Sequence, residues 1–526
     1  MSRITIRVAA LLLPLFFFTA CQETKHATLP QTKTETTEVP SRTPAWMHVF
    51  KSSVSLKKYS SFYSLENPSD AFAARLYLID KATTSINVQY YIYKDDLTAD
   101  EFTYRLLQAA NRGVKVRMII DDLTTTGKDK DVVTLARHPN IEIKLFNPNR
   151  FRSLFRGAAL VLDVGRLGKR MHNKTFTVDG HAAILGGRNI GDEYFAADTE
   201  EVVFIDYDIL AVGKVAPEVY KEFDIYWNSP LSVNYKKIIS EKVSAADYQK
   251  TMVHMEQLHA AFLKTPLAHN MKKSTFLKKA KKGAIPLYAS KEASLYFDLP
   301  KKVVSDPNDS RTHLSTSIKG ALDAVDHELI LISPYFIPSP QMMDALKKLR
   351  AQNIPITVIT NSMASTDVSM VYSGYQKYIE PMLEMGVQLY ELKPYLDKVP
   401  ENRREAKKIK HISLHTKMII VDDEQLLVGS ANMDPRSNKL NTEVLMLIKD
   451  SPIIPHLKKE LKSVLNTDYF YRLRLLPTAK GSSKKRIVWE SMEKGEKKYY
   501  IKAPKAGAGK RFSVDFFSLL PIEKLL

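Results

Sequence analysis

The sequence predicts an α/β protein of two pseudo-symmetric lobes, each a mixed β-sheet flanked by helices, with a functional site at their interface. Three observations carry this. The first is a strand–helix–strand plan that occurs twice. Ser85-Ile86-Asn87-Val88-Gln89-Tyr90-Tyr91-Ile92 has strand composition. Phe102, Leu106, Leu107 and Ala110 then share one helical side, Gly113 marks the helix end, and Val114, Val116, Met118 and Ile120 alternate as a strand up to Asp121-Asp122. The plan returns in Leu329-Ile330-Leu331-Ile332-Ser333-Pro334-Tyr335-Phe336, in the helical positions Met342, Leu346 and Leu349, and in the run 354–359. Tyr91 and Tyr335 stand 244 residues apart. The second observation is a polar pattern: His172, Lys174, Asp179, Gly186, Gly187 and Asn189 recur at an offset of 243 as His415, Lys417, Asp422, Gly429, Ser430 and Asn432. The third is size. A chain of 526 residues with 44% hydrophobic residues exceeds one ordinary core and can fill two or three.

The net charge is +19, which favours polyanions, either nucleic acid or an anionic bilayer. The first residues choose between them. Arg3 and Arg7 precede an apolar run from Val8 to Phe18, too short to span a bilayer comfortably and laid out like an export signal. Phe18-Thr19-Ala20-Cys21 resembles the box at which bacterial lipoproteins are cut and acylated, with Phe where Leu is usual. Cys21 is the only cysteine, so no intramolecular disulfide forms. Loss of residues 1–20 removes two arginines and no acid, leaving +17. A lipid on Cys21 plus a basic surface supplies the two signals that stable membrane attachment needs. The expected organisation is a signal at 1–20, a lipidated Cys and flexible tether at 21–55, a first lobe at 56–285 and a second at 286–526 with a C-terminal extension. The first lobe carries a helical, basic insert at 231–285. The insert's Lys272-Lys273, Lys278-Lys279 and Lys281-Lys282 read as a solvated helix face or a contact for lipid headgroups. Residues 480–511 are again Lys-rich, and the terminal Leu519-Leu520-Pro521-Ile522-Glu523 is expected to dock on the body.

A His-x-Lys on a strand points both side chains to one face. The glycines let backbone approach a bound group closely. The following Asn189 and Asn432 can donate an amide to a phosphoryl oxygen. Two such lobes facing each other surround one phosphodiester with two imidazoles, two ammonium groups and two amides. That set suffices for phosphoryl transfer without metal or other cofactor. One neutral imidazole attacks phosphorus, the other gives a proton to the leaving alkoxide, and Lys174 and Lys417 stabilise the equatorial oxygens. The far nitrogen of a histidine nucleophile needs a carboxylate. Glu443 and Asp208 are the expected orienters, with Glu200 as the rival in the first lobe because it keeps the 243 offset from Glu443. Asp179 and Asp422 are expected to make supporting ion pairs, and Asp121-Asp122 to lie in a strand-end loop.

The doubled His-x-Lys-x4-Asp pattern resembles the phospholipase D superfamily over roughly residues 60–526. Gly186-Gly187-Arg188-Asn189-Ile190-Gly191-Asp192-Glu193-Tyr194-Phe195, Tyr226-Trp227-Asn228-Ser229, Asp434-Pro435-Arg436-Ser437 and the terminal Leu-Pro-Ile-Glu look like bacterial cardiolipin synthases of the periplasmic lipoprotein type. The resemblance implies phosphatidyl transfer onto phosphatidylglycerol, from phosphatidylglycerol or phosphatidylethanolamine. It also implies the nucleophile role for His172 and the acid role for His415, which the residues alone leave interchangeable. Water competes with the lipid alcohol for the same intermediate, so a hydrolytic phospholipase D is the alternative, followed by a nuclease. The export signal speaks against nucleic acid and for a periplasm-facing membrane surface.

Overall fold

The computed structural model describes residues 38–125, 127–149, 168–197, 202–309, 313–395, 411–479 and 482–520. Cys21, the signal expected at 1–20 and Glu200 lie outside these residues. Two large mixed sheets are present. The first has nine strands in the order Ser232–Asn234, Ile141–Phe146, Lys115–Asp121, Ser85–Tyr90, Thr175–Val178, Ala182–Gly186, Asp208–Gly213, Ser60–Leu65 and Tyr288–Ser290. The second has ten, in the order Glu292–Phe297, Val444–Lys449, Gln425–Gly429, Met418–Val421, Leu329–Ile332, Ile356–Asn361, Gln388–Leu392, Phe470–Pro477, Lys485–Glu493 and Glu496–Tyr500.

The internal repeat is visible in the ladders. Ser85–Tyr90 pairs in parallel with Lys115–Asp121 on one side and antiparallel with Thr175–Val178 on the other. Leu329–Ile332 does the same with Ile356–Asn361 and Met418–Val421. The helices between the parallel strands start where side chains satisfy free amides. Asp96 accepts from Ala99 N ahead of Leu97–Asn111, and Ser339 accepts from Met342 N ahead of Pro340–Ala351. Gly113, at φ +94°, supplies the left-handed turn that returns the first of these chains to the sheet.

The central strands of each sheet are buried on both faces, which explains their near-continuous apolar runs, whereas the edge strand Glu496–Tyr500 is mostly exposed. Phe176, Val178 and Ile184 point toward the helices of their own lobe. Ala183 and Leu185, one residue out of phase, share a core with Ile330, Ile332, Ile420 and Val428 of the other lobe. This apolar layer between the sheets fixes how the lobes face each other.

The lobe boundaries differ from those expected. Trp46, Met47, Val49 and Phe50 are already buried in the first core, and Phe50–Lys51 pairs with Ile285–Pro286, so core packing begins by Trp46, inside the 21–55 span assigned to the tether. Tyr288–Ser290 closes the first sheet and Glu292–Phe297 opens the second, so the crossover lies at Lys291. The insert forms Ala245–Phe262, Pro266–Lys272 and Thr275–Lys281. It docks through Phe262 on Phe72 and through Phe276 on Tyr63 and Tyr77. Most of its lysines are exposed, and Lys279 lies over the Tyr63 ring. At the C-terminal end Leu520 packs on the cluster of Ile337 and Val371, Leu519 is 83% exposed, and Pro521-Ile522-Glu523 falls outside the described residues. Among the described residues no helix is long and apolar enough to cross a membrane.

Candidate active site

Each histidine hangs on the opposite lobe. His172 N donates to Thr442 O at 2.9 Å, and His415 N donates to Ile205 O at 2.8 Å. The strand His411–Leu414 runs parallel to Val202–Ile205, and Met171 bridges to Thr442. The residue after each accepting carbonyl is a carboxylate, and it takes the imidazole. His172 Nδ1 donates to Glu443 Oε2 at 2.9 Å and lies 3.0 Å from Oε1. His415 Nδ1 donates to Asp206 Oδ2 at 2.6 Å. A carboxylate on Nδ1 places the proton there and leaves Nε2 with its lone pair.

The residue that orients His415 is therefore Asp206, not Asp208. Asp208 Oδ2 accepts from Arg75 Nη2 at 2.8 Å and lies 3.3 Å from Arg188 Nη1, in an ion cluster sealed from solvent. Strand alternation sends Asp206 and Asp208 to one face, but Gly186 pairs with Asp208 whereas Gly429 pairs with Leu445. Asp206 is thus the register equivalent of Glu443. The Gly-Gly and Gly-Ser pairs have different tasks here. A Cβ on Gly187 would sit 2.1 Å from Asp206 Oδ1, so glycine makes room for that carboxylate. Ser430, its counterpart, donates to Glu443 Oε2 at 2.5 Å. Ser437 donates to Glu443 Oε1 at 2.5 Å, and Glu443 N donates to Asp298 Oδ2 at 2.9 Å.

Lys174 and Lys417 are buried and each returns its ammonium to the carbonyl of its own motif's histidine, at 2.6 and 2.5 Å. Burial lowers Lys174 to about 7, against the pull of Glu443, and Lys417 to about 8, against Asp206 and Glu443. Burial also lowers His172 to about 4, with Glu443 opposing and Lys174 and Lys417 adding to the shift. His415 is held well below its ordinary value by burial, by Lys417 and Lys174, and by His172. The backbone and imidazole bonds that each histidine makes to the opposite lobe bring both motifs to one interface. Glu443 stays below the usual carboxylate range because His172, Lys174 and Ser430 outweigh its burial, whereas burial raises Asp206. Tyr91 packs edge-on against His172 at 5.2 Å between ring centroids, and Tyr194 and Phe204 flank His415 at 5.3 and 5.0 Å.

Asn189 commits its carbonyl oxygen and one amide hydrogen within its own lobe. Its Oδ1 accepts from Ile92 N at 3.0 Å and its Nδ2 donates to Tyr194 Oη at 2.8 Å, so it braces the ring beside His415. Asn432 has its side-chain oxygen buried with no hydrogen-bond partner among the described residues, an open acceptor rather than the donor expected of it. Asp179 and Asp422 make no ion pair with a Lys or Arg among the described residues. Both have left-handed φ, +52° and +54°, and turn back to receive backbone amides. Asp179 accepts from Thr83, Thr84 and Ser85 N and from Trp46 Nε1; Asp422 accepts from Asp326, His327 and Glu328 N. Each locks the turn after its motif strand to the start of the neighbouring strand.

Sequence reasoning missed more than Asp206. Asp121 is the buried end of its strand, where it pairs with Arg170 and accepts from Met171 N at 3.0 Å, setting the residue before His172. Asn173, between the motif's His and Lys, donates to Glu222 Oε1 at 2.9 Å and accepts from Thr442 Oγ1 at 2.8 Å. Burial pushes Glu222 up to about 8. Among the described residues no group of three or more His, Cys, Asp or Glu side chains is placed to hold a metal ion.

The profile of the family described as "Cardiolipin synthase, PLD-like domain" matches residues 76–227 and 318–465, which hold both motifs. The chain belongs to that family. It is 34% identical to cardiolipin synthase C of Escherichia coli (strain K12) over 472 residues, covering 88% of this chain and 96% of that protein. An uncharacterised protein of Helicobacter pylori (strain J99) is 30% identical, with 99% and 100% coverage. Among solved structures, a phosphatidylserine synthase from Haemophilus influenzae Rd KW20 superposes with TM-score 0.53 at 13% identity, covering 80% of this chain and 90% of that one, a likeness of fold.

Proposed function

We propose that this protein is a cardiolipin synthase that moves a phosphatidyl group onto phosphatidylglycerol through a phosphohistidine. The observation that carries the reading is the crossed pair of imidazole–carboxylate contacts, His172–Glu443 and His415–Asp206, with Lys174 and Lys417 buried between them. Nε2 of His172 attacks the diester phosphorus, and the bond from phosphorus to the headgroup oxygen breaks. The proton on His415 Nε2 goes to that oxygen, releasing glycerol or ethanolamine. A second phosphatidylglycerol then gives its hydroxyl proton to His415 while its oxygen attacks phosphorus. The P–N bond breaks, leaving cardiolipin and free His172.

The electrostatics support His172 as nucleophile. Glu443 is held anionic by its hydrogen bonds and stabilises the cation that phosphorylated His172 becomes. His415 must arrive protonated, and the two ammonium groups of the site oppose that. The diester's negative charge offsets them and raises His415 as substrate enters. The short anchor and basic surface support a lipid-anchored protein, attached through Cys21 and acting at the periplasm-facing membrane surface on an anionic bilayer.

Mass analysis of lipids after incubating pure protein with phosphatidylglycerol tests the reading. Cardiolipin and free glycerol are expected in equal amounts, and added phosphatidylethanolamine releases ethanolamine if it serves as donor. Phosphatidic acid as the dominant product would replace transfer with hydrolysis. Loss of membrane attachment in C21S tests the anchor.

A further inference from the structure

The C-terminal helix Ala508–Ser518 has two unlike faces. Val514 is fully buried, and Phe517 and Leu520 pack on a small cluster around Ile337 and Val371. Opposite them, Phe512 is 70% exposed and Phe516 41%, and Leu519 in the next turn is 83% exposed. Positions i, i+4 and i+7 form one continuous apolar stripe. From residue 502 to 520 the chain carries Lys502, Lys505, Lys510 and Arg511 against a single acid, Asp515.

This helix is tied to the active site. Lys510 Nζ donates to Ala364 O at 3.0 Å and to Thr366 O. The next residue, Asp367, accepts from Tyr335 Oη at 2.7 Å, and its charge acts on His415 and Lys417. One loop thus separates the stripe from the second catalytic motif.

We propose that the stripe docks on an anionic lipid surface, with Phe512, Phe516 and Leu519 entering the headgroup–acyl boundary and the exposed Lys502 and Lys505 meeting the headgroups. The proposal rests on the reading of the site as a phosphatidyltransferase, whose substrates are themselves lipids. An apolar face with basic flanks is the composition that binds anionic interfaces. A second copy suits it less well: three such side chains bury roughly 150–250 Å² each even when fully covered, short of the roughly 800 Å² per partner of a stable dimer. Docking by this helix would hold the site mouth against the bilayer and away from bulk water, favouring a lipid alcohol over hydrolysis.

The test is F512W in the full chain. Trp46, Trp227 and Trp489 are all buried, so the new indole reports the surface. Vesicles of phosphatidylglycerol and phosphatidylcholine with brominated acyl chains are expected to quench it, relative to unbrominated vesicles. No differential quenching overturns the proposal. So does an indole already shielded without lipid, which would mean a second copy or the chain's own end covers the stripe. In a second arm, F512S/F516S/L519S is expected to lower turnover of vesicle phosphatidylglycerol about tenfold while leaving monomeric dihexanoyl phosphatidylglycerol unchanged. Equal effects on both, or none, contradict docking. If the unmodified protein turns over neither lipid, the transferase reading fails, and quenching still decides the docking face.

Discussion

Replacing Asp206 and Asp208 separately by Asn distinguishes two carboxylates that are two residues apart and have unlike surroundings. Asp206 holds Nδ1 of His415 at 2.6 Å, so D206N removes the charge that fixes the tautomer and steadies the imidazolium. By analogy with other buried carboxylate–histidine pairs, kcat should fall about 10²–10⁴-fold, or about 3–5 kcal/mol of barrier. The fold should change little, because Asp206 is unfavourably buried to begin with. Asp208 lies between Arg75 and Arg188, all three at most 1% exposed. D208N leaves two guanidinium groups without their carboxylate, a loss of about 3–5 kcal/mol of stability. Its kcat per folded molecule should stay within about threefold. Thermal unfolding followed by circular dichroism, paired with cardiolipin formation well below each Tm, separates the two effects. If D208N lost turnover at unchanged Tm while D206N kept it, the assignment of the orienting carboxylate would be refuted.

The pH profile follows from the lysines. In the free protein Lys174 and Lys417 are lowered to about 7 and 8, so raising pH through that range removes the charges that bind the diester. kcat/KM on short-chain phosphatidylglycerol should decline with a midpoint near 7–8. The alkaline limb of kcat should lie higher, because bound phosphate favours the ammonium form. An alkaline limb of kcat/KM above 10 would contradict this. On the acid side, His172 at about 4 keeps its lone pair down to that pH. Glu222 is raised to about 8, so the native state holds its proton between about 4.5 and 8 while the unfolded chain releases it. Wild-type stability therefore falls as pH rises through that window, whereas E222Q is insensitive. The Tm of E222Q relative to wild type should rise from pH 4.5 to 8 and then level off; a constant difference would refute the protonated assignment. D179A strands the amides of Thr83, Thr84 and Ser85 and the Trp46 indole, and should cost about 2–4 kcal/mol, read by urea unfolding, with little effect on kcat of folded protein.

The repeat was legible because both lobes keep the same count of residues from His through Asn, so the 243 offset survives every turn between the motif strands. It breaks just beyond. Gly187 to Asp206 spans 19 residues and Ser430 to Glu443 spans 13, so the two orienting carboxylates are 237 apart and Glu200 inherits the false match. Strand composition then pointed to Asp208, since both aspartates face the same way and only the ladder register separates them. The exchange of carboxylates between lobes is a tertiary contact with no local signature. The bracing role of Asn189 is hidden for a related reason. Its type and position suit a phosphate donor, but its amide closes the link between Ile92 and Tyr194. Asp121 and Asp122 read together as a loop pair, although the pattern Val114, Val116, Met118, Ile120 puts Asp121 at a strand end, where the chain turns into the site.

The central claim is that Nε2 of His172 carries the phosphatidyl group and His415 handles the proton. A phosphatidyl ester of p-nitrophenol tests it directly, because that leaving group departs without an acid. In H415A the first step should proceed and the second, which needs His415 as base, should stall. Rapid mixing should release about one p-nitrophenol per protein, and peptide mass mapping should find an acid-labile phosphatidyl adduct on His172. A burst with the adduct on another residue, or an unchanged burst in H172A, would contradict the account.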